Sequence, residues 1–265
     1  MSKVQQRAAH FIAVAVALSL SVSLAAAENP AVTERRSGFD FMSRESQATQ
    51  LDDTSNPGML WVAEGEALWT AKAGASGRSC FDCHSDAATS MKGVATRYPI
   101  YLAEQSRPVD LQGRINICRE TKQNATPLAF ESRELLALAA FIGKQSRGMP
   151  ITTGDDARLE PFRVHGQALY ERRQGQLNFS CADCHDANWG RKLASSVIPQ
   201  AHPTGYPLYR LEWQSMGSLQ RRLRNCMVGV RAEPYPFGSP EYIDLELFLM
   251  SRAKGMMLET PAVRP

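Results

Sequence analysis

Beyond its first two dozen residues this sequence has no long apolar run. That excludes a membrane-spanning helix from all that follows, because a span needs about 20 consecutive apolar residues. Its charges nearly cancel, with 30 Lys and Arg against 27 Asp and Glu, so neither a nucleic-acid backbone nor an anionic membrane surface is implied as a partner. Histidine is scarce, at five residues. The apolar run at the start is of a different kind. Lys3 and Arg7 precede it, Phe11 to Leu24 is broken only by serines, and Ala25 to Ala27 offers small residues to a peptidase. Residues 1–27 therefore read as a cleavable signal peptide, and the mature chain is expected in the periplasm, with a net charge of about +1 once Lys3 and Arg7 are lost. Residues 28–57, polar and poorly periodic, read as an extended N-terminal arm.

What the chain does contain is a repeated signature. Cys181-Ala-Asp-Cys184-His185 and Cys80-Phe-Asp-Cys83-His84 both match Cys-x-x-Cys-His, the attachment site of a c-type haem. In such a site two thiols form thioethers to the porphyrin, and the adjacent histidine meets the iron. A lone Cys-x-x-Cys could be half a zinc site or a redox dithiol. Two complete copies in an exported chain point instead to two covalently attached haems.

The repetition extends well beyond the motifs. Gly65-Glu-Ala-Leu68-Trp69 stands as far before Cys80 as Gly166-Gln-Ala-Leu169-Tyr170 stands before Cys181. Tyr98-Pro99-Ile100-Tyr101 matches Tyr206-Pro207-Leu208-Tyr209, and Leu111-Gln112 and Leu219-Gln220 precede Cys118 and Cys226 by the same interval. A duplicated ancestral half follows, with a boundary between Pro150 and Asp156. The expected fold is mainly α: two tandem cytochrome c-like haem domains, 58–150 and 151–265. In each, a glycine and an aromatic four residues later share one face of the first helix. An apolar stripe marks the last helix: Leu135, Leu138, Phe141 and Ile142 in one half, Leu245, Phe248 and Leu249 in the other. Ser239-Pro240-Glu241 is a start signal for the second of these.

Each iron needs a second axial ligand or an open position. Met91, Met149, Met216, Met227 and Met256 are available, as in ordinary electron carriers. Apart from His10, His84 and His185, only His165 and His202 are left, and both lie in the second half. The residues at equivalent positions are Cys118 and Cys226, each with an arginine four residues earlier, Arg114 and Arg222. Three readings stay open for the two cysteines: a Cys118–Cys226 disulfide, buried inert thiols, or thiolate ligation opposite His84 and His185. Arg221, Arg222, Arg224 and Arg231 surround Cys226 in sequence. Such cations favour a thiolate and suit a dianionic substrate, although an Arg-Arg-Leu-Arg run can also be a solvated helix face.

With the two motifs, Arg222-Leu-Arg-Asn-Cys226-Met and the following Pro-Tyr-Pro-Phe-Gly-Ser-Pro-Glu-Tyr run, the chain from about Trp61 to Leu258 resembles SoxA, the larger subunit of the SoxAX cytochromes of bacterial sulfur oxidation. The resemblance implies an L-cysteine S-thiosulfotransferase, which joins thiosulfate to a cysteine of the carrier SoxYZ and releases two electrons. It implies that Cys226 is both haem ligand and catalytic cysteine, able to carry a persulfide, with Arg222 as a catalytic arginine. It further implies SoxX, a monohaem cytochrome c, as partner, and a first haem held by His84 and Cys118 that is dispensable for the chemistry. Two other expectations compete with it: a dihaem electron-transfer protein with His/Met ligation, for which Met149 or Met256 would serve, and a structural haem subunit.

Overall fold

The computed structural model describes residues 34–265, so the signal peptide expected at 1–27 lies outside the described residues. After α1 (Arg44–Leu51), the first half runs α2 (Met59–Thr70), α3 (Phe81–His84), α4 (Ala87–Ser90), the hairpin of β1 (Ile100–Leu102) and β2 (Arg107–Val109), α5 (Leu111–Gln123) and α6 (Arg133–Lys144). The second half repeats the order with α7 (Glu160–Glu171), α8 (Cys181–His185), a small hairpin of β3 (Lys192–Leu193) and β4 (Ser196–Val197), then β5 (Leu208–Arg210), β6 (Ser215–Gly217), α9 (Leu219–Gly229) and α10 (Pro240–Arg252). β7 (Ala262–Arg264) closes the chain. Among the described residues no helix is long and apolar enough to cross a membrane.

The two glycines of the first helices explain how each half is assembled. A Cβ on Gly65 would stand 2.1 Å from the Ala137 carbonyl oxygen, and one on Gly166 would stand 2.0 Å from that of Asp244. No side chain fits there, so α2 meets α6, and α7 meets α10, backbone to backbone. The aromatics four residues on, Trp69 and Tyr170, then reach the turn after each haem motif: Trp69 Nε1 donates to the Ser85 carbonyl at 3.1 Å and Tyr170 Oη to Asp186 Oδ1 at 2.9 Å. The last helices start on serine caps, Ser132 for α6 and Ser239 for α10, with Pro240 in the first helical turn.

The halves are repeated in sequence yet share their packing. β5 pairs antiparallel with β6, Tyr209 opposite Met216, and parallel with β7, Tyr209 opposite Val263. Tyr209 and Met216 turn into the core of the first half, where Tyr209 meets Trp61 edge-on with ring centroids 5.7 Å apart. Ile151 packs with Met250, Ala253 and Leu258, so the end of one half is buried against the other.

The segment expected as an extended arm is folded. Within 28–57, the described residues contain a turn of 3-10 helix at Gly38–Phe41 and then α1. Gln50 and Asn56 are buried: Gln50 Oε1 accepts from Val263 N–H at 3.0 Å, and Asn56 Nδ2 donates to the Pro261 carbonyl at 2.9 Å. Polar side chains anchor this segment by bonding the backbone of β7 and its approach, an attachment that an apolar pattern does not report.

Candidate functional site around Cys226

The second haem motif is a single turn of helix held at its start. Ser180 Oγ accepts from Asp183 N–H at 3.1 Å while the Asp183 carboxylate accepts from Ser180 N–H at 2.8 Å, a reciprocal cap. Ser79 and Asp82 make the same pair of bonds at the first motif, at 3.1 and 2.8 Å. The serine before each motif and the aspartate inside it therefore fix the turn that sets both cysteines and the histidine on one short helix.

His185 is oriented by the backbone. Its Nδ1 lies 2.7 Å from the Pro199 carbonyl oxygen, which can only accept, so Nδ1 carries a proton and is held by the backbone, leaving Nε2 for another partner. The side chain that meets His185 is Cys226, on α9. Burial by itself would raise the Cys226 thiol, but its hydrogen bond with His185 and the positive charges of Arg222 and Arg210 outweigh burial and bring it down to about 7. Arg222 is itself opposed by burial, but the negative charges of Cys226, Tyr206 and Glu212 hold its pKa above the ordinary value. Burial drives the attachment cysteines the other way, with the charge on Cys226 adding to it: Cys181 is pushed up to about 12, and Cys184 is raised as well. One site thus holds two cysteines as neutral thiols and a third poised as thiolate.

An imidazole and a thiolate side by side, with two thiols on the turn that carries the imidazole, are groups that could attach a haem covalently and ligate its iron, so the residues fit the group. The first site has the same parts in a different setting. His84 lies against Trp69, with ring centroids 5.7 Å apart, and Cys118 lies near Cys80, whose thiol is raised chiefly by burial.

Both halves match the cytochrome c domain of the SoxA/TsdA family, over residues 64–151 and 165–258. The chain belongs to that family. It is 38% identical over 241 residues to the L-cysteine S-thiosulfotransferase subunit SoxA of Pseudaminobacter salicylatoxidans, covering 91% of this chain and 84% of that one. With the SoxA subunit of Rhodovulum sulfidophilum it is 33% identical, over 87% of this chain and 80% of the relative. The crystal structure of SoxXA from P. pantotrophus superimposes with a TM-score of 0.84 at 31% identity, covering 87% of each chain. A SoxA-type chain with these motifs is a c-type cytochrome, mainly helical and built from two tandem haem domains.

The geometry also sorts the remaining candidates. All six cysteines are unpaired, and no disulfide joins Cys118 to Cys226 because each lies beside the attachment motif of its own half. Met216 is buried in the first core and Met227 Sδ accepts from Tyr242 Oη at 3.6 Å, so Cys226 is the sulfur beside His185. His165 pairs with Asp244 at 2.7 Å, and His202 Nδ1 donates to the Arg36 carbonyl at 2.8 Å. Arg221 stacks over Trp213 at 4.3 Å and bonds Ser215, while Arg224 donates to the Tyr235 carbonyl at 3.2 Å. Both are structural, which leaves Arg222 as the helix arginine whose charge acts on Cys226.

Arg210 is a cation near Cys226 that the run of arginines did not reveal. It ends β5, pairs with Glu212 at 2.7 Å and has a side chain only 14% exposed. Tyr209 points into the first core, so alternation along the strand sends Arg210 to the opposite face. Its counterpart in the first half, at the end of β1, is Leu102. A comparison of the repeats position by position would have marked it, because it supplies a cation to one site alone.

Proposed function

We propose that this protein joins thiosulfate oxidatively to a cysteine of a SoxYZ carrier, acting in the periplasm after loss of residues 1–27 as an L-cysteine S-thiosulfotransferase with a SoxX monohaem cytochrome c as partner. Each of residues 58–150 and 151–265 would hold one haem, the first on Cys80 and Cys83 with His84 and Cys118 as the protein groups on its iron, the second on Cys181 and Cys184 with His185 and Cys226. The observation that carries this reading is the meeting of Cys226, His185 and Arg222, with the thiol brought down to about 7. A carrier of electrons has no need of a thiolate beside a fixed cation, whereas a site for sulfur transfer does.

In the reaction a bond forms between the carrier sulfur and the outer sulfur of thiosulfate; the carrier thiol gives up its proton and two electrons leave. A haem iron takes one electron at a time, so the two electrons need two acceptors, which the haems of this chain and of its partner would supply when bound. Arg222 and Arg210 offer guanidinium groups to the sulfonate oxygens of the dianion, an interaction that survives at any working pH. Cys226 presents sulfur at the point where the new bond forms. The Pro199 carbonyl fixes the orientation of the His185 ring, so that His185 and Cys226 keep their facing positions.

Two measurements test this. Pyridine haemochrome spectra should give two haems per chain, and one after Cys181→Ala/Cys184→Ala. With carrier, partner and thiosulfate, Cys226→Ala should abolish coupling while Cys118→Ala keeps most of it; equal loss in both variants would refute the assignment of chemistry to the second site.

A further inference from the structure

A cavity of about 60 Å³ opens where the two halves meet, lined from both of them. Its lining pairs repeat-equivalent residues: Tyr98 with Tyr206, and Leu111 with Leu219. It therefore lies between equivalent parts of the two halves. At two equivalent positions the symmetry fails, and each failure places a carboxyl group in the wall. Asp110 caps α5 where Ser218 caps α9, and Glu246 stands on α10 where Ala139 stands on α6.

Among the described residues the two carboxyl groups are held by Gln220, which hydrogen-bonds both, and not by a cation. Asp110 Oδ1 accepts from Gly113 N–H at 2.7 Å and Oδ2 from Gln220 Nε2 at 3.0 Å, while Gln220 Oε1 accepts from Gly238 N–H at 2.7 Å. Among the described residues no Lys, Arg or His lines the cavity; its other titratable groups are Tyr98 and Tyr206. Ser218, also in the wall, donates its N–H to Glu131 at 3.3 Å. Gln112 lines the same cavity, is 7% exposed, and its Oε1 has no hydrogen-bond partner among the described residues. A buried amide oxygen without a donor calls for a protonated group or a water molecule. Two carboxyl groups buried in one wall with no cation lining it cannot both ionise cheaply.

The electrostatics agree with this geometry. Burial pushes Asp110 up to about 6, and burial together with the charge of Asp110 holds Glu246 well above the ordinary carboxylate range. The tyrosines tie the cavity to both sites. Tyr98, raised by burial to about 12, feels Arg114 and Cys118; Tyr206, also raised by burial, feels Arg222 and Cys226.

We propose that Asp110 and Glu246 form a shared proton site between the halves, taking up one proton from solvent when a haem gains one electron and returning it on reoxidation. One electron and one proton enter together, so the net charge of haem plus carboxyl pair is unchanged. The site lets the protein hold electrons from a two-electron sulfur oxidation without accumulating negative charge in its interior. This rests on the assignment of a haem to each half.

The test is a redox titration of the haem-loaded protein at a series of pH values, monitored by visible spectra, for the native chain, Glu246→Gln and Asp110→Asn. Both substitutions keep volume, and asparagine is also a good cap for α5. Each tenfold fall in proton concentration should lower one midpoint by up to about 59 mV in the native protein, the value for one proton per electron. The slope should flatten in both variants, and reduction should change a protonated-carboxyl band in the infrared difference spectrum of the native chain only. A midpoint independent of pH in the native chain, or a slope retained in both variants, would overturn the proposal. Pyridine haemochrome spectra of the same samples report a missing haem separately from a missing proton site.

Discussion

At the scale of the residue, a half-buried cysteine becomes a thiolate near neutral pH only if something opposes the cost of burying its charge. Here the His185 hydrogen bond, Arg222 and Arg210 do so. In haem-free protein, thiol alkylation at Cys226 should be half-maximal near pH 7, falling as the pH drops below it because the thiol is then protonated. Arg222→Leu removes a cation that favours the thiolate, so the midpoint should move to higher pH. In the haem-loaded enzyme the same variant should lose about 10²-fold in coupling rate, the scale of one charge-assisted hydrogen bond in a water-poor site. Arg222 was legible because it stands one helical turn before Cys226. Arg210 and the Pro199 carbonyl were not, since both reach the site through tertiary folding from other segments, and a backbone carbonyl leaves no mark in the residue types.

At the scale of the element, the duplicated first and last helices could be read from glycine, aromatic and apolar spacing, and the structure gives the reason. Gly166→Ala would press a methyl group into the Asp244 carbonyl at 2.0 Å, so α7 and α10 must separate. The expected cost is about 1–3 kcal/mol or more, the range for overpacking a tight contact, read as a lower denaturant midpoint. The reciprocal serine and aspartate caps were present in both motifs as Ser-Cys-x-Asp-Cys-His, with the histidine drawing attention away from them. The N-terminal segment read as loose because its anchors, Gln50 and Asn56, are polar. Asn56 bonds the Pro261 carbonyl and accepts from Gly58 N–H at 2.9 Å. Asn56→Ala leaves both partners unsatisfied and should cost about 1–3 kcal/mol in equilibrium unfolding.

At the scale of the whole molecule, the repeats are two in sequence and one in packing. Tyr209 and Met216 complete the first core, so a fragment ending at residue 150 should lack a cooperative unfolding transition, whereas the whole haem-loaded chain should show a single one. The carboxyl pair between the halves also sets a pH dependence. Asp110 and Glu246 have folded pKa values raised above their unfolded ones, so their protonated forms favour folding at low pH. That contribution is lost as pH rises through about 6, and Glu246→Gln should reduce the difference in urea midpoint between pH 5 and pH 8. Interlocking of this kind is not legible in the sequence, where the repeats align cleanly and nothing marks which residues cross between them.

All three scales meet at Cys226, and low-temperature electron paramagnetic resonance of the oxidised, haem-loaded protein tests it most directly when repeated on Cys226→Ser. Low-spin ferric signals of compressed g-spread, one of them lost or altered in the variant, are expected if Cys226 is the thiolate ligand opposite His185. Signals of His/Met or bis-histidine type that the substitution leaves unchanged would contradict thiolate ligation, and the reading as a dihaem electron carrier would take its place.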